Sequence, residues 1–159
     1  MSSREDEQSW TLHAIGTVTS TRDEATDDNW GSVQASITLV DPYGPDSLLG
    51  LAEFSHVEVL YVFDRVDPLT VNRGARVPRN NPAWPSVGIF AQRAKNRPNR
   101  LGLATCELVS VEGSTIFVRG LDAIDGTPVV DLKPCMVEFG PRGPVRQPAW
   151  SHELMADYY

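Results

Sequence analysis

The sequence has few cysteines and no long apolar run, and each absence excludes a class of protein. Only Cys106 and Cys135 occur among the 159 residues, and neither belongs to a CxxC or CxxH spacing. We therefore expect neither a disulfide framework nor a metal site, and we predict a cytoplasmic location, where thiols stay reduced. No run of about 18 apolar residues is present, and the first ten residues lack the apolar segment of a secretory signal. A membrane span is not expected.

Long amphipathic helices are also missing, as is a GxGxxG motif after a strand. Short blocks of β-branched and aromatic residues alternate instead with turn residues, and the chain holds 12 glycines and 12 prolines. This pattern predicts a mainly β protein, a barrel or a sandwich, with short helical segments and no Rossmann domain.

Seven stretches are predicted to be strands: residues 11–19, 33–40, 56–63, 87–91, 101–111, 114–119 and 128–131. Alternation in 56–63 places Val57, Val59, Tyr61 and Phe63 on one apolar face. Glu112-Gly113 predicts a hairpin turn. The four prolines in residues 64–86 predict a long irregular loop, residues 47–52 one helical turn, and residues 151–159 a short helix.

Positive charge is scarce overall, because the net charge is -7, but it is concentrated in one loop. An acidic chain does not favour non-specific coating of nucleic acid, which requires many phosphate contacts. Four of the 14 Lys and Arg residues nevertheless lie within residues 93–100: Arg93, Lys95, Arg97 and Arg100. The loop can be a solvated hairpin tip or a recognition loop. Arg97-Pro98-Asn99 favours recognition, because it combines a planar donor fork, a rigid residue and an amide.

Two further stretches combine polar residues with turn or strand-end positions. Asp125-Gly126-Thr127-Pro128 is a turn motif that can be purely structural, whereas the carboxylates near it favour a ligand site. Phe63-Asp64 ends a predicted strand, and strand ends border pockets. His56 is expected to be a structural strand histidine, since no GxSxG motif accompanies it.

Four stretches, in order, resemble signatures of the TsaA-like family, also called YaeB or TrmO-like. GIFAQRAKNRPNRLGL resembles the family's GVFATRSPFRPNPIGL, and GLAEFSHVEVLYVF resembles GLEGFSHLWLLFVFH. GLDAIDGTPVVDLKP is similar to LDLLDGTPVLDIKPY, and IGTVTS is similar to IGVIRSP. Together they cover most of residues 14–136, so the resemblance is specific although each motif alone is weak.

The best-known members of that family are S-adenosylmethionine-dependent tRNA methyltransferases that modify N6 of the threonylcarbamoyl-adenosine next to the anticodon. The resemblance implies the same enzyme class, a single small closed β-barrel that binds S-adenosylmethionine, tRNA as a partner, and a homodimer. It divides the chain into a leader (residues 1–8), a TsaA-like barrel domain (9–136) and a tail (137–159) that packs on the barrel or on a partner subunit.

Site residues follow from the same resemblance. Arg97 and Asn99 match the family's RPN and are the predicted catalytic residues. The implied cofactor-binding residues are Phe63, Asp64, Arg93, Leu103, Ile124, Asp125, Gly126 and Thr127. The basic loop would then dock an RNA phosphate or the cofactor carboxylate. An aromatic residue such as Trp84 or Phe90 would stack on the adenine.

Several departures from the family pattern leave two other functions open. TDDNWG (residues 26–31) replaces the family's PRQ, Asp64 replaces a His, and Arg100 replaces the second Pro of RPNP. Longer members also continue into a second domain. The acidic balance and the shorter length favour a methyltransferase with a non-tRNA acceptor, whereas RPNR is compatible with a non-catalytic S-adenosylmethionine-binding module.

Overall fold

Six antiparallel strands close into a barrel in this computed structural model, which describes residues 8–159. Numbered in chain order, and counting those outside the barrel as well, the strands of the described residues are β1 (Gly16–Ser20), β2 (Gln34–Leu39), β3 (His56–Val62), β4 (Ala75–Arg76), β5 (Val87–Gly88), β6 (Leu101–Glu112), β7 (Thr115–Arg119) and β8 (Pro128–Pro134). The barrel order is β1-β2-β7-β6-β3-β8, and β8 pairs back onto β1. The pair β4–β5 forms a separate small sheet. The predicted mainly β barrel is confirmed; the predicted leader, apart from residue 8, lies outside the described residues.

The barrel interior is filled by the alternating apolar residues of each strand. On β3, Val57, Val59 and Tyr61 are at most 1% exposed, as the period-2 pattern predicts. Facing strands contribute Ile37 and Ile116, which have no exposed surface. Burial of each such aliphatic side chain stabilises the fold by about 1.5–3 kcal/mol. The hairpin prediction is also confirmed, since Gly113 has φ 60 in a two-residue turn between β6 and β7.

Several predicted boundaries are wrong. The strand predicted over 11–19 begins only at Gly16, because residues 11–14 are exposed and bury no apolar face. The strand predicted over 87–91 ends at Gly88 and continues as a 3-10 turn, Ile89–Ala91. The loop 64–86 contains β4, and β8 extends three residues beyond its predicted end. The other 3-10 turns are Pro45–Leu48, Leu51–Glu53, Pro68–Thr70, Pro78–Asn80, Pro98–Arg100 and Val137–Phe139.

A C-terminal segment, residues 149–159, begins with helix α1 (Ala149–Met155) and lies against its own barrel. The backbone N–H groups of Asn29 and Trp30 donate to the carbonyls of Asp157 and Tyr158, at 2.9 and 2.7 Å. A Cβ on Gly31 would lie 2.7 Å from the carbonyl carbon of Tyr159, so only glycine permits this approach. Among residues 8–159, no helix is long and apolar enough to cross a membrane.

Candidate functional site

A cavity of about 1460 Å³ lies at one end of the barrel. The register there pairs Tyr61 of β3 with Gly102 of β6 and Val129 of β8, so the end of β3 meets the starts of the other two strands. Walls are added by residues 91–99, by the loop before β8 and by the C-terminal segment. Small-ligand pockets usually measure about 300–1,000 Å³. The cavity is therefore large enough for a nucleoside-sized ligand and part of a second reactant.

Most of the predicted site residues border this one cavity. Those that do are Phe63, Asp64, Arg93, Arg97, Asn99, Leu103, Ile124 and Thr127. Asp125 and Gly126 belong to the same turn but do not border the cavity. The topology thus brings together residues from three separate stretches of sequence, and their individual roles stay predictions.

The turn at residues 124–127 is held by its own hydrogen bonds and by β1. The Asp125 carboxylate accepts from the Ser20 N–H at 3.0 Å, and the Asp125 N–H donates to the carbonyl of Arg22 at 2.7 Å. Gly126 has φ 82, as the motif predicts. The buried Thr127 hydroxyl donates to the carbonyl of Ile124 at 2.7 Å. The Asp125 side chain therefore fixes the end of β1 beside the cavity.

The arginines of the basic loop, residues 93–100, hold the loop in place through hydrogen bonds to backbone carbonyls, which do not neutralise their positive charge. Each arginine donates to a neutral backbone carbonyl: Arg93 to Leu103 at 2.7 Å, Arg97 to Gln92 at 2.7 Å, and Arg100 to Val66 at 2.9 Å. Within the described part of the chain, no carboxylate lies within 4.0 Å of these arginines or of Lys95. The loop therefore presents uncompensated positive charge to the cavity, which suits an anionic ligand.

Backbone geometry and a buried amide shape this loop. Asn99 has φ 62 and ψ -8, a left-handed conformation that asparagine tolerates better than most residues. Gln92 is 8% exposed, and its amide N–H donates to the carbonyls of Arg76 and Val87. Because Arg97 in turn donates to the backbone of Gln92, the loop is anchored on the β4–β5 sheet. This anchoring was not evident from the sequence.

The sequence also did not reveal a cluster around Asp122, which borders the same cavity. The Tyr61 hydroxyl donates to Asp122 Oδ1 at 2.7 Å, and the Tyr158 hydroxyl donates to Oδ2. Burial first, and then the charge of Asp122, raises the pKa of both tyrosines above the usual range, so both hydroxyls stay protonated donors. Tyr158 carried no sequence signal, because nothing in the tail pattern fixes where it docks.

Among the residues that stand in place of the family's PRQ (26–31), only Thr26, Asp27 and Trp30 border the cavity. Trp30 is 2% exposed, and the Arg22 guanidinium lies 4.3 Å from its ring centroid. Trp30 borders the cavity, whereas Asn29 does not. Neither candidate stacking residue borders it: Phe90 is 79% exposed, and the Trp84 indole donates to Glu153 at 2.7 Å.

Comparison with known proteins agrees with this architecture. The family model described as tRNA-methyltransferase O N-terminal domain matches residues 25–140. A Mus musculus tRNA (adenine(37)-N6)-methyltransferase is 43% identical over 93 residues, which are 58% of this chain and 21% of that protein. A probable S-adenosyl-L-methionine-binding protein of Methanothermobacter thermautotrophicus is 38% identical over 129 residues, covering 77% of this chain and 88% of that protein.

A solved structure shares the fold. The crystal structure of TrmO from Pseudomonas aeruginosa aligns with a TM-score of 0.70 and 25% identity over 87% of this chain and 62% of that chain. The chain spans only about a fifth of the mouse methyltransferase that it matches. The matched residues 25–140 include the basic loop and the turn before β8, and the resemblance that the motifs carried is confirmed. The chain belongs to the tRNA-methyltransferase O N-terminal domain family.

Proposed function

We propose that this protein is an S-adenosylmethionine-dependent methyltransferase that modifies N6 of the threonylcarbamoyl-adenosine next to a tRNA anticodon. One observation carries the proposal: the uncompensated basic loop and the Asp122 cluster border the same cavity, in a chain whose relatives bear methyltransferase names. Positive charge on one wall suits a phosphate or carboxylate. A carboxylate with aromatic rings on another wall suits a cation.

The chain's residues fit the chemical groups of the cofactor. Phe63, Leu103 and Ile124 offer apolar surface for an adenosyl group. Arg93 offers guanidinium N–H groups to the carboxylate of the methionyl part, since among residues 8–159 its guanidinium is engaged only through Nη2, by the carbonyl of Leu103. Asp64 is exposed at the cavity and can accept hydrogen bonds from a ribose. These assignments follow the family resemblance and rest on the residues' common cavity.

When bound, the cofactor would supply a methyl group: the bond from carbon to N6 would form as the carbon–sulfur bond breaks, the electron pair of that bond would stay on sulfur, and the N6 proton would be lost to bulk solvent. The protein's task is to align the two reactants and to exclude water. We assign Asn99 to the acceptor, where its amide oxygen accepts a hydrogen bond from the exocyclic N–H and orients the nitrogen lone pair. Arg97 would hold a phosphate or the carboxylate of the modification bidentately.

The role of Asn99 can be separated from its backbone conformation. Asn99→Gly removes the amide but keeps positive φ, whereas Asn99→Ala adds strain. We expect both variants to lose about 100-fold or more in methyl transfer to tRNA, while calorimetry shows unchanged S-adenosylmethionine binding. Asn80→Gly is the matched control, because Asn80 also has positive φ (53) and does not border the cavity. Full activity of Asn99→Gly would remove Asn99 from the mechanism.

The substrate is tested with total tRNA from a strain that lacks its own methyltransferase for N6 of this modified adenosine. Incorporation of labelled methyl into N6 of the modified adenosine is expected. Cofactor binding without any methylation would favour the second candidate, a non-catalytic binding module, which the name of the Methanothermobacter thermautotrophicus relative favours. Methylation of another acceptor would favour the non-tRNA alternative, which the net charge of -7 favours.

We also propose, from the family resemblance, a cytoplasmic homodimer with a barrel domain over residues 9–136 and a tail over 137–159. Contacts of the C-terminal segment with Asn29 and Trp30 support packing of that tail on its own barrel. Light scattering on the full chain gives the oligomeric state, and a monomeric mass would remove the dimer from the proposal.

A further inference from the structure

Asp122 is a carboxylate that borders the cavity. Within residues 8–159, none of the ion pairs closer than 4.0 Å includes it. Its two oxygens instead accept from the neutral hydroxyls of Tyr61 and Tyr158. Those bonds orient the carboxylate but bring no positive charge to it. Because a partly buried charge without a counterion is costly, the arrangement points to a cationic ligand.

Four aromatic residues border the cavity together with this carboxylate. The rings of Tyr61 and Phe63 meet edge to face with centroids 5.2 Å apart, and those of Tyr158 and Tyr159 do so at 4.8 Å. All four residues border the cavity with Asp122. Aromatic faces attract cations, and most strongly those that are weakly hydrated. A carboxylate that shares a cavity with these aromatic rings therefore favours a soft, alkylated cation over a neutral group of the same shape.

We propose that Asp122, positioned by Tyr61 and Tyr158, is the specificity residue that distinguishes the sulfonium of the methyl donor from the neutral thioether of the product. This inference rests on the proposed function, since it takes S-adenosylmethionine as the ligand. Loss of the positive charge on methyl transfer removes the attraction to Asp122. The spent product, S-adenosylhomocysteine, is then held less tightly than the donor, which favours exchange of product for donor.

Calorimetry on the full chain tests this with three ligands. S-adenosylmethionine carries the sulfonium, sinefungin carries an ammonium at the same position, and S-adenosylhomocysteine carries neither. We expect Asp122→Asn to weaken binding of the two cationic ligands by about tenfold or more and to change S-adenosylhomocysteine binding by less than about threefold. Asp131→Asn is the matched control, because Asp131 is paired with Lys133 at 3.0 Å and does not border the cavity.

An equal loss of affinity for all three ligands would overturn the inference, because Asp122 would then contribute to the shape of the site without distinguishing charged from neutral ligands. Unchanged binding of the cationic ligands would overturn it as well. If the unmodified chain binds none of the three, the proposed function itself fails, and this outcome is distinct from failure of Asp122→Asn alone.

Tyr158→Phe keeps the test decisive if Asp122→Asn does not fold. This variant removes one orienting hydroxyl and retains the carboxylate. We expect the ratio of the two dissociation constants, product over donor, to fall at least about threefold. An unchanged ratio would overturn the assignment of Tyr158 as a positioning residue and, with it, the inference. Circular dichroism establishes folding of each variant beforehand.

Discussion

Substitution of Gly102 by alanine tests the packing that supports Tyr61. Gly102 lies opposite Tyr61 in the pairing of β6 with β3, and a Cβ at this position would lie 2.4 Å from both Cε2 and Cζ of the tyrosine ring. Real Cβ atoms do not approach other atoms so closely, so the ring must move. Because the hydroxyl of that ring donates to Asp122, the substitution also disturbs the cavity.

The expected loss of stability is about 3 kcal/mol. Overpacking of a filled core costs about 1–3 kcal/mol. Displacement of the ring adds part of the 1.5–3 kcal/mol that a hydrogen bond to a charged group contributes. Alanine regains about 0.5–1 kcal/mol through its lower backbone entropy in the unfolded chain. A loss of this size is a large fraction of the 5–15 kcal/mol that is typical for a whole domain.

Urea unfolding followed by tryptophan fluorescence measures the effect. A loss of about 3 kcal/mol lowers the midpoint by roughly 1–3 M for a usual dependence on urea. Gly88→Ala is the control, since Gly88 has φ -60 and a Cβ there meets no atom within 4 Å. The double variant Tyr61→Val/Gly102→Ala should be more stable than the sum of the two single effects predicts. The smaller valine side chain no longer occupies the space that the new Cβ at position 102 needs. Equal midpoints for Gly102→Ala and Gly88→Ala would refute the reasoning.

Two further predictions concern the C-terminal segment and a buried thiol. Gly31→Ala should loosen residues 149–159, because its Cβ would lie 2.7 Å from the Tyr159 carbonyl carbon; faster proteolysis of the segment with an intact barrel spectrum is expected, and unchanged protection would contradict this. Burial, and then the charge of Asp122, raises the pKa of the Cys106 thiol from 9.0 to about 12. Its contribution to stability is therefore complete below about pH 9 and is lost as pH rises towards 12. In the Cys106→Ala variant the urea midpoint should decrease less between about pH 9 and 12 than in the unmodified protein. An equal decrease in both proteins would argue against the raised pKa of Cys106.

The barrel could be predicted from the sequence because its signals are local. Alternation in residues 56–63 identified the inward face of β3, and the turn signals at Gly113 and Gly126 matched backbone positions with positive φ. Boundaries were less predictable, since residues 11–14 have strand-forming character but find no apolar surface to cover. Local propensity does not determine where burial ends.

The site was only partly predictable, because its anchoring is not local. Proximity of Phe63, Arg93 and Ile124 followed from motifs, and the cavity brings these residues together. The Tyr158–Asp122 contact joins positions 36 residues apart through a tail without a periodic pattern. The bonds of the loop arginines to backbone carbonyls likewise depend on the final chain path. Such contacts depend on the three-dimensional arrangement of the whole barrel and therefore cannot be predicted from local sequence patterns.

The backbone conformation of Arg100 limits which residues position 100 can hold. Its backbone has φ 50, whereas a proline ring restricts φ to about -65°. Grafting the RPNP tetrapeptide onto this scaffold would therefore force a different chain direction immediately before β6 and delete the tie from Arg100 to Val66. A proline at position 100 is thus incompatible with the chain path that leads into β6 in this barrel, where the Arg100 guanidinium holds the peptide instead.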